Sequence, residues 1–127
     1  RVHDWLIKDH ADHEELLASM SIEFAHSEAG QFISELADKF EGTHAADIYA
    51  YMRLHTELVL RAEEFSLARE AGTKPDVTGL DRQRFRELHE LEHKIGKTAL
   101  LALWPHLHYS RQEMAELYEL ESRTRRV

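Results

Sequence analysis

The chain has 127 residues, 43% of them apolar and 31% charged, with a formal net charge of −8 and no cysteine. That length bounds it to one domain, whose core hides about two-thirds of the unfolded surface. The composition excludes a disordered tail, the acidity sets the surface against nucleic acid, and the missing thiols exclude disulfides, thiolate metal sites and cysteine nucleophiles.

Two prolines and five glycines leave few places to turn. Ala, Leu and Glu are abundant and β-branched residues scarce, which favours helix. The expected fold is all-α: a single-domain antiparallel helical bundle of about five helices over residues 1–127. The longest unbroken apolar run, Ala99 to Trp104, is far too short to span a bilayer, and no signal peptide is visible. The chain opens on Arg1 rather than Met, so the expectation is a fragment of a longer protein.

In chain order, His3, Leu6, His10, His13, Leu17, Met20 and Phe24 follow a 3-4-3-4 spacing that lies along one helical stripe. Phe32, Ile33, Leu36 and Phe40 mark a shorter amphipathic helix that stops at Gly42. Thr43 is placed to cap the next helix, whose buried face reads Ile48, Met52, His55, Val59, Ala62, Phe65 and Ala68. It ends near Gly72, and "GTKPDVTG" is the clearest loop. Thr78 or Asp81 opens a helix running through Phe85, Leu88, Leu91, Ile95, Ala99 and Ala102 until Pro105 ends or kinks it. Ser110 and Glu113 form a capping-box pair before Met114, Leu117 and Tyr118. The basic end "SRTRRV" reads as a favourable dipole partner for that last helix.

Ten histidines are the compositional oddity. His89 and His93 stand one turn apart, a spacing that lets two imidazoles reach one ion, and Glu90 with His93 matches the Glu-x-x-His element of di-iron bundles, as Glu23 does with His26. "DHADHEELL" looks like the opening helix of hemerythrin-like domains, in which His, His-x-x-x-Glu, His-x-x-x-His and His-x-x-x-x-Asp or Glu follow in order. His10 or His13 would then be the first ligand, His89 with His93 the third element, and His108 with Glu113 the fourth. The second element fails, because Val59 follows His55 at the required distance and Ile48 follows His44. The metal-ligating candidates under this alternative are His10, His13, His55, His89 and His93, with iron or another transition metal as cofactor; otherwise no cofactor is expected. "IGKTALL" lacks the upstream glycine and strand of a phosphate loop, and no Gly-x-Ser-x-Gly elbow occurs. The carboxylates read mostly as solvated-face residues.

One further likeness covers roughly residues 45–120. Ile95, Gly96, Thr98, Leu100, Leu101, Ala102, Leu103 and Pro105, following a charged helix, resemble the C-terminal soluble region of PrsW-family intramembrane metalloproteases. The family's catalytic motifs lie in transmembrane helices, which this chain lacks, so no catalytic residue carries over. The resemblance implies the soluble appendage of a membrane protein, on the cytoplasmic face. From the residues themselves, Gly96 reads as a place where another helix approaches closely, and the leucines of 100–103 as buried on several sides.

The functional expectation is a non-catalytic helical interaction or regulatory module, not an enzyme, whose partner is a protein, self-association to a homodimer included. Two alternatives accompany it. One is a hemerythrin-like or di-metal carboxylate protein binding iron and oxygen. The other is a pH-responsive bundle, in which inward-facing His10, His13 or His55 erode stability between about pH 7 and 5.

Overall fold

A computed structural model describes residues 28–125. Five α-helices follow in order: α1 (Glu28–Lys39), α2 (Ala45–Glu70), α3 (Gly79–Ile95), α4 (Lys97–Leu103) and, after a single 3-10 turn at Trp104–His106, α5 (Arg111–Thr124). The described residues contain no strand, and the all-α bundle expected from the sequence is the fold. The stripe from His3 to Phe24, the Glu23–His26 pair and the last two residues of the basic end lie outside the described residues.

The 26-residue α2 is the axis. It packs on α1, α3 and α5, so its first half is buried on nearly every side: Ile48, Tyr49, Tyr51, Met52, Leu54, His55, Thr56, Leu58 and Val59 all lose their solvent. The one-face reading identified Ile48, Met52, His55, Val59, Ala62 and Phe65 correctly. It missed the other buried positions because a helix with three neighbours needs no polar back. Each fully buried Leu or Ile contributes roughly 1.5–3 kcal/mol of transfer free energy, against the entropy of fixing the chain.

Local signals set the ends. Gly42 and Gly72 follow α1 and α2 at φ +83° and +87°, where an L side chain is strained. Ser110 and Glu113 form a reciprocal capping box on α5, as their spacing predicts; on α3 Thr78 is the N-cap and Asp81 the third helical residue, so the two alternative openers act together as a second box. The α2–α3 pair is antiparallel: Thr43, Tyr51 and Arg61 meet Ile95, Glu92 and Asp81 in turn, one number rising as the other falls.

Five local expectations are corrected. Residue His44, not Thr43, is the N-cap of α2; the Thr43 hydroxyl instead donates to the Ile95 carbonyl at 3.1 Å, near the end of α3 where carbonyls lack helical partners. The helix expected to run on to Pro105 breaks at Gly96, whose φ of +90° a helix cannot contain. Among the described residues, nothing beyond its chain neighbours stands within 4 Å of where a Gly96 side chain would begin, so the glycine serves the backbone bend and not a close approach by any described helix. The bend resets the helical phase: Ala99 and Leu103 are buried, whereas Leu101 is 64% exposed. On α5 the inward residues are Leu117 and Leu120, and Tyr118 is 71% exposed.

Candidate functional site

Two histidine-centred constellations carry most of the chemistry of the described residues. The first surrounds His55 on the buried face of α2, where the residue is only 1% exposed. Tyr109, in the segment before α5, stacks on the imidazole with centroids 5.0 Å apart and planes 29° apart. Trp104 presents an edge-to-face contact at 5.3 Å, and Tyr51 a tilted one at 5.7 Å. The box therefore draws on α2, the 3-10 turn and the entry to α5. The Thr56 hydroxyl donates to the Met52 carbonyl at 2.9 Å and lies 2.6 Å from the Tyr109 hydroxyl, which fixes the stacked ring.

Among the described residues, Nδ1 of His55 is buried with no hydrogen-bond partner. An imidazolium there would give up its water with no anion in contact, so burial pushes the His55 pKa down to about 4. The nearest carboxylates act on the surrounding phenols instead. Burial and then Glu92 push Tyr51 up; burial, with a contribution from Glu113 and against the Thr56 hydrogen bond, pushes Tyr109 up. All three ring systems are thus neutral at pH 7.

The second constellation lies at the α3–α5 surface. His89 Nδ1 is 2.7 Å from Glu92 Oε1, and its Nε2 is 2.9 Å from Glu121 Oε1. Glu92 Oε2 accepts from the Tyr51 hydroxyl at 3.2 Å, and Glu121 accepts from Arg125 at 2.8 Å. A hydrogen-bonded line thus joins α2, α3 and α5 across Tyr51, Glu92, His89, Glu121 and Arg125. Partial burial lowers the His89 pKa, but the bonds to Glu92 and Glu121 outweigh it and the net shift is upward. With a carboxylate on each nitrogen, the protonated ring is the form that can donate twice.

Asp81 is a buried charge, which caps α3 and takes a two-point contact from Arg61, Nε to Oδ1 at 3.0 Å and Nη2 to Oδ2 at 3.2 Å. Its burial would raise the carboxyl pKa, yet the Arg61 hydrogen bonds and the cap bring the net shift below the usual carboxylate value. This acid departs from the solvated-face reading.

The metal candidates scatter among these settings. His10 and His13 lie outside the described residues. His55 sits among aromatic rings, His89 has both nitrogens against carboxylates, and His93 is exposed. No group of three or more His, Asp or Glu among the described residues could hold a metal ion, so His55, His89 and His93 form no common ligand set. Neither His108 nor Glu113 supplies a fourth element there: His108 precedes α5 at φ +57°, and Glu113 caps that helix.

Residues the sequence did not single out complete both centres. Glu92 was within reach of inspection, since it lies three positions from His89 on one helix. Glu121, 32 positions away, and the Trp104–Tyr109 side of the box depend on how helices pack and leave no local signal. An open groove of about 250 Å³ between α2 and α5, floored by Phe65 with Ala62, Ser66 and Ala115, is bordered by the Arg69–Glu119 ion pair. Among its lining residues, Ser66 has no histidine to activate it. No family model matches the chain, and no curated protein or solved structure matches it.

Proposed function

We propose that this chain is a non-catalytic helical interaction and regulatory module, the soluble appendage of a membrane protein. The observation that carries the reading is where the polar groups go. Arg61–Asp81, Thr56–Tyr109 and the line from Tyr51 through His89 to Arg125 all join one helix, or its flanking turn, to another. These are groups a catalytic site would turn toward a substrate. The appendage clause is supported by the PrsW-like stretch from Ile95 to Pro105, which forms the α4 corner and holds Leu101 outward. No helix among the described residues is long and apolar enough to cross a membrane. The partner is a protein, with a second copy of the chain included.

Metal analysis tests this against the hemerythrin-like alternative. Protein purified without a histidine tag, loaded with ferrous iron and then dialysed against a weak chelator, is expected to show no charge-transfer absorption and no rise in melting temperature. Retention of about one or two irons per chain, the load of a bundle-core site, would overturn the reading.

The His55 box favours a second, compatible reading as a pH-responsive bundle. The imidazole meets Tyr51 of its own helix, Trp104 of the turn and Tyr109 before α5, and among the described residues no carboxylate is in contact with it. Charging it disfavours the very packing that seats the α4–α5 corner on α2. Acidification would loosen that corner first, which hydrogen exchange at residues 104–110 between about pH 6.5 and 4 tests directly; unchanged protection there would remove the reading.

A further inference from the structure

Residues 93–112 contain no Asp or Glu, in a chain that carries 24 of them. The same stretch holds Lys94, Lys97 and Arg111 and the imidazoles of His93, His106 and His108, all exposed. It also holds the outward Leu101, at 64%, and Trp104, at 36%. Lys97, Leu101 and Trp104 follow at i, i+4 and i+7, so they share one stripe of α4 and its 3-10 extension, while Ala99 and Leu103 face the core.

Lys94 lies in the last turn of α3, where the helix dipole favours a cation, but structural duties leave Lys97 and Arg111 unexplained. Arg53, Arg61, Arg69, Arg123 and Arg125 each pair with a carboxylate. Lys94, Lys97 and Arg111 make no ion pair among the described residues. Lys97 and Arg111 are moreover the first residues of α4 and α5, where the helix dipole disfavours positive charge. The fold gains nothing electrostatic from them at those positions.

We infer that the α4 corner is a docking surface for an anionic lipid bilayer. Trp is the side chain best suited to the level of the headgroups, with an apolar body and one N–H to hydrogen-bond. Leu101 supplies apolar area beside it, and the lysines extend from apolar stems to place ammonium groups at the phosphates. The net charge of −8 does not forbid this, because carboxylates farther from the corner than the screening length of about 8–10 Å contribute little repulsion. The nearest acids along the chain are already engaged: Glu92 with His89 and Tyr51, Glu113 in the α5 cap. The inference deepens the appendage reading and rests on it for the setting, but its surface stands on charge and exposure alone.

Co-sedimentation of the whole chain with phosphatidylcholine vesicles, with and without about 30% phosphatidylserine, tests it. Binding is expected only with the anionic lipid and is expected to fall with salt. A Trp5→Phe background leaves Trp104 as the sole indole, and its emission should shift to shorter wavelength on binding. Each lysine near a charged leaflet is worth about fivefold in affinity, so Lys94→Glu with Lys97→Glu should weaken binding by at least about 25-fold. Leu101→Ser should weaken it while leaving the helical circular dichroism intact. The charge-matched control, Lys74→Glu with Arg86→Glu, alters exposed residues outside the stretch and should bind nearly as well as the parent.

An equal loss in the control would mean that only net charge matters, and would overturn the assignment. So would equal binding to neutral vesicles, no binding at all, or capture by polyglutamate without capture by vesicles, which would give the corner to an acidic polypeptide. Iron retained by a chain that also binds vesicles would sink the non-catalytic reading and leave this surface standing.

Discussion

His55 and His89 are the same residue under opposite constraints. His55 is enclosed by three aromatic rings, its buried Nδ1 has no hydrogen-bond partner among the described residues, and burial lowers its pKa to about 4. His89 is about half exposed and meets a carboxylate at each nitrogen; the penalty of partial burial is outweighed and its pKa rises. Depth alone does not decide the sign. Asp81 is nearly as buried as His55, yet its charged form is favoured, because Arg61 and the backbone of Thr78 bond to it. What separates the three is whether an opposite charge or a donor reaches the group.

The largest test of that contrast is pH. An unfolded histidine binds its proton near pH 6.5 and the folded His55 only near 4, so the unfolded state holds the extra proton between those limits. Stability contributed by this site therefore falls as pH drops from about 6.5 to 4 and levels off below. The window extends lower than the pH 7 to 5 expected from the sequence. Roughly 1.4 kcal/mol per pKa unit puts the full loss at about 3 kcal/mol. Urea melts across this range should show it, and His55→Phe, which keeps a ring and removes the bare nitrogen, should abolish most of it. Persistence of the acid slope in that variant would assign the loss to other groups.

Asp81→Ala sharpens the comparison from the acid side. It removes the α3 cap and leaves the Arg61 guanidinium without its partner, and a cap alone is worth about 1 kcal/mol. With the charge-assisted bonds added, a loss of about 2–3 kcal/mol at pH 7 is expected in denaturant melts. Because the folded pKa of Asp81 is lowered, its contribution is present above the ordinary carboxylate range and is lost only as pH falls through the folded value. The parent and the alanine variant should thus keep a constant stability gap between about pH 6.5 and 5, the part of the His55 window that lies above the ordinary carboxylate range. A gap that closes between pH 6.5 and 5 would show that the two sites are coupled.

Tyr109→Phe asks how firmly the box is held. The stacked ring stays, and the contact with the Thr56 hydroxyl is lost while Thr56 keeps its bond to the Met52 carbonyl. A cost of about 1 kcal/mol is expected, with the pH dependence of His55 retained. If the acid slope disappears as well, the Tyr109 hydroxyl, and not desolvation, is what holds the imidazole neutral.

Much of this was legible in local sequence. The Ser110–Glu113 spacing announced its cap, Thr78 or Asp81 marked where α3 opens without revealing that the two act as a pair, Gly42 and Gly72 announced helix ends, and the apolar neighbours of His55 announced that it turns inward. Gly96 was noticed for the wrong property: a glycine inside an apolar helical pattern can mean close packing or positive φ, and the pattern looks the same until the chain turns. That one ambiguity misplaced the outward leucine of α4. The partners of the two histidines were the least readable. Tyr109 lies 54 positions beyond His55 and Glu121 lies 32 beyond His89, and only the packing of α5 on the α2–α3 pair brings them together.

The smallest expected effect falls on the most polar site. His89→Gln keeps an amide that can still donate to one carboxylate but removes the charge that answers both Glu92 and Glu121. The site is exposed, so solvent screening limits the loss to about 1 kcal/mol at most, and salt should reduce it further. Its pH course runs opposite to that of His55. The folded pKa of His89 lies above the unfolded value, so its stabilisation is complete below about pH 6.5 and is lost as pH rises through the folded pKa. Parent and variant should therefore differ most in mild acid and converge in alkali, as urea midpoints measured at pH 6 and 9 will show. A difference that grew toward alkaline pH would mean that the neutral ring, not the imidazolium, is what joins α3 to α5.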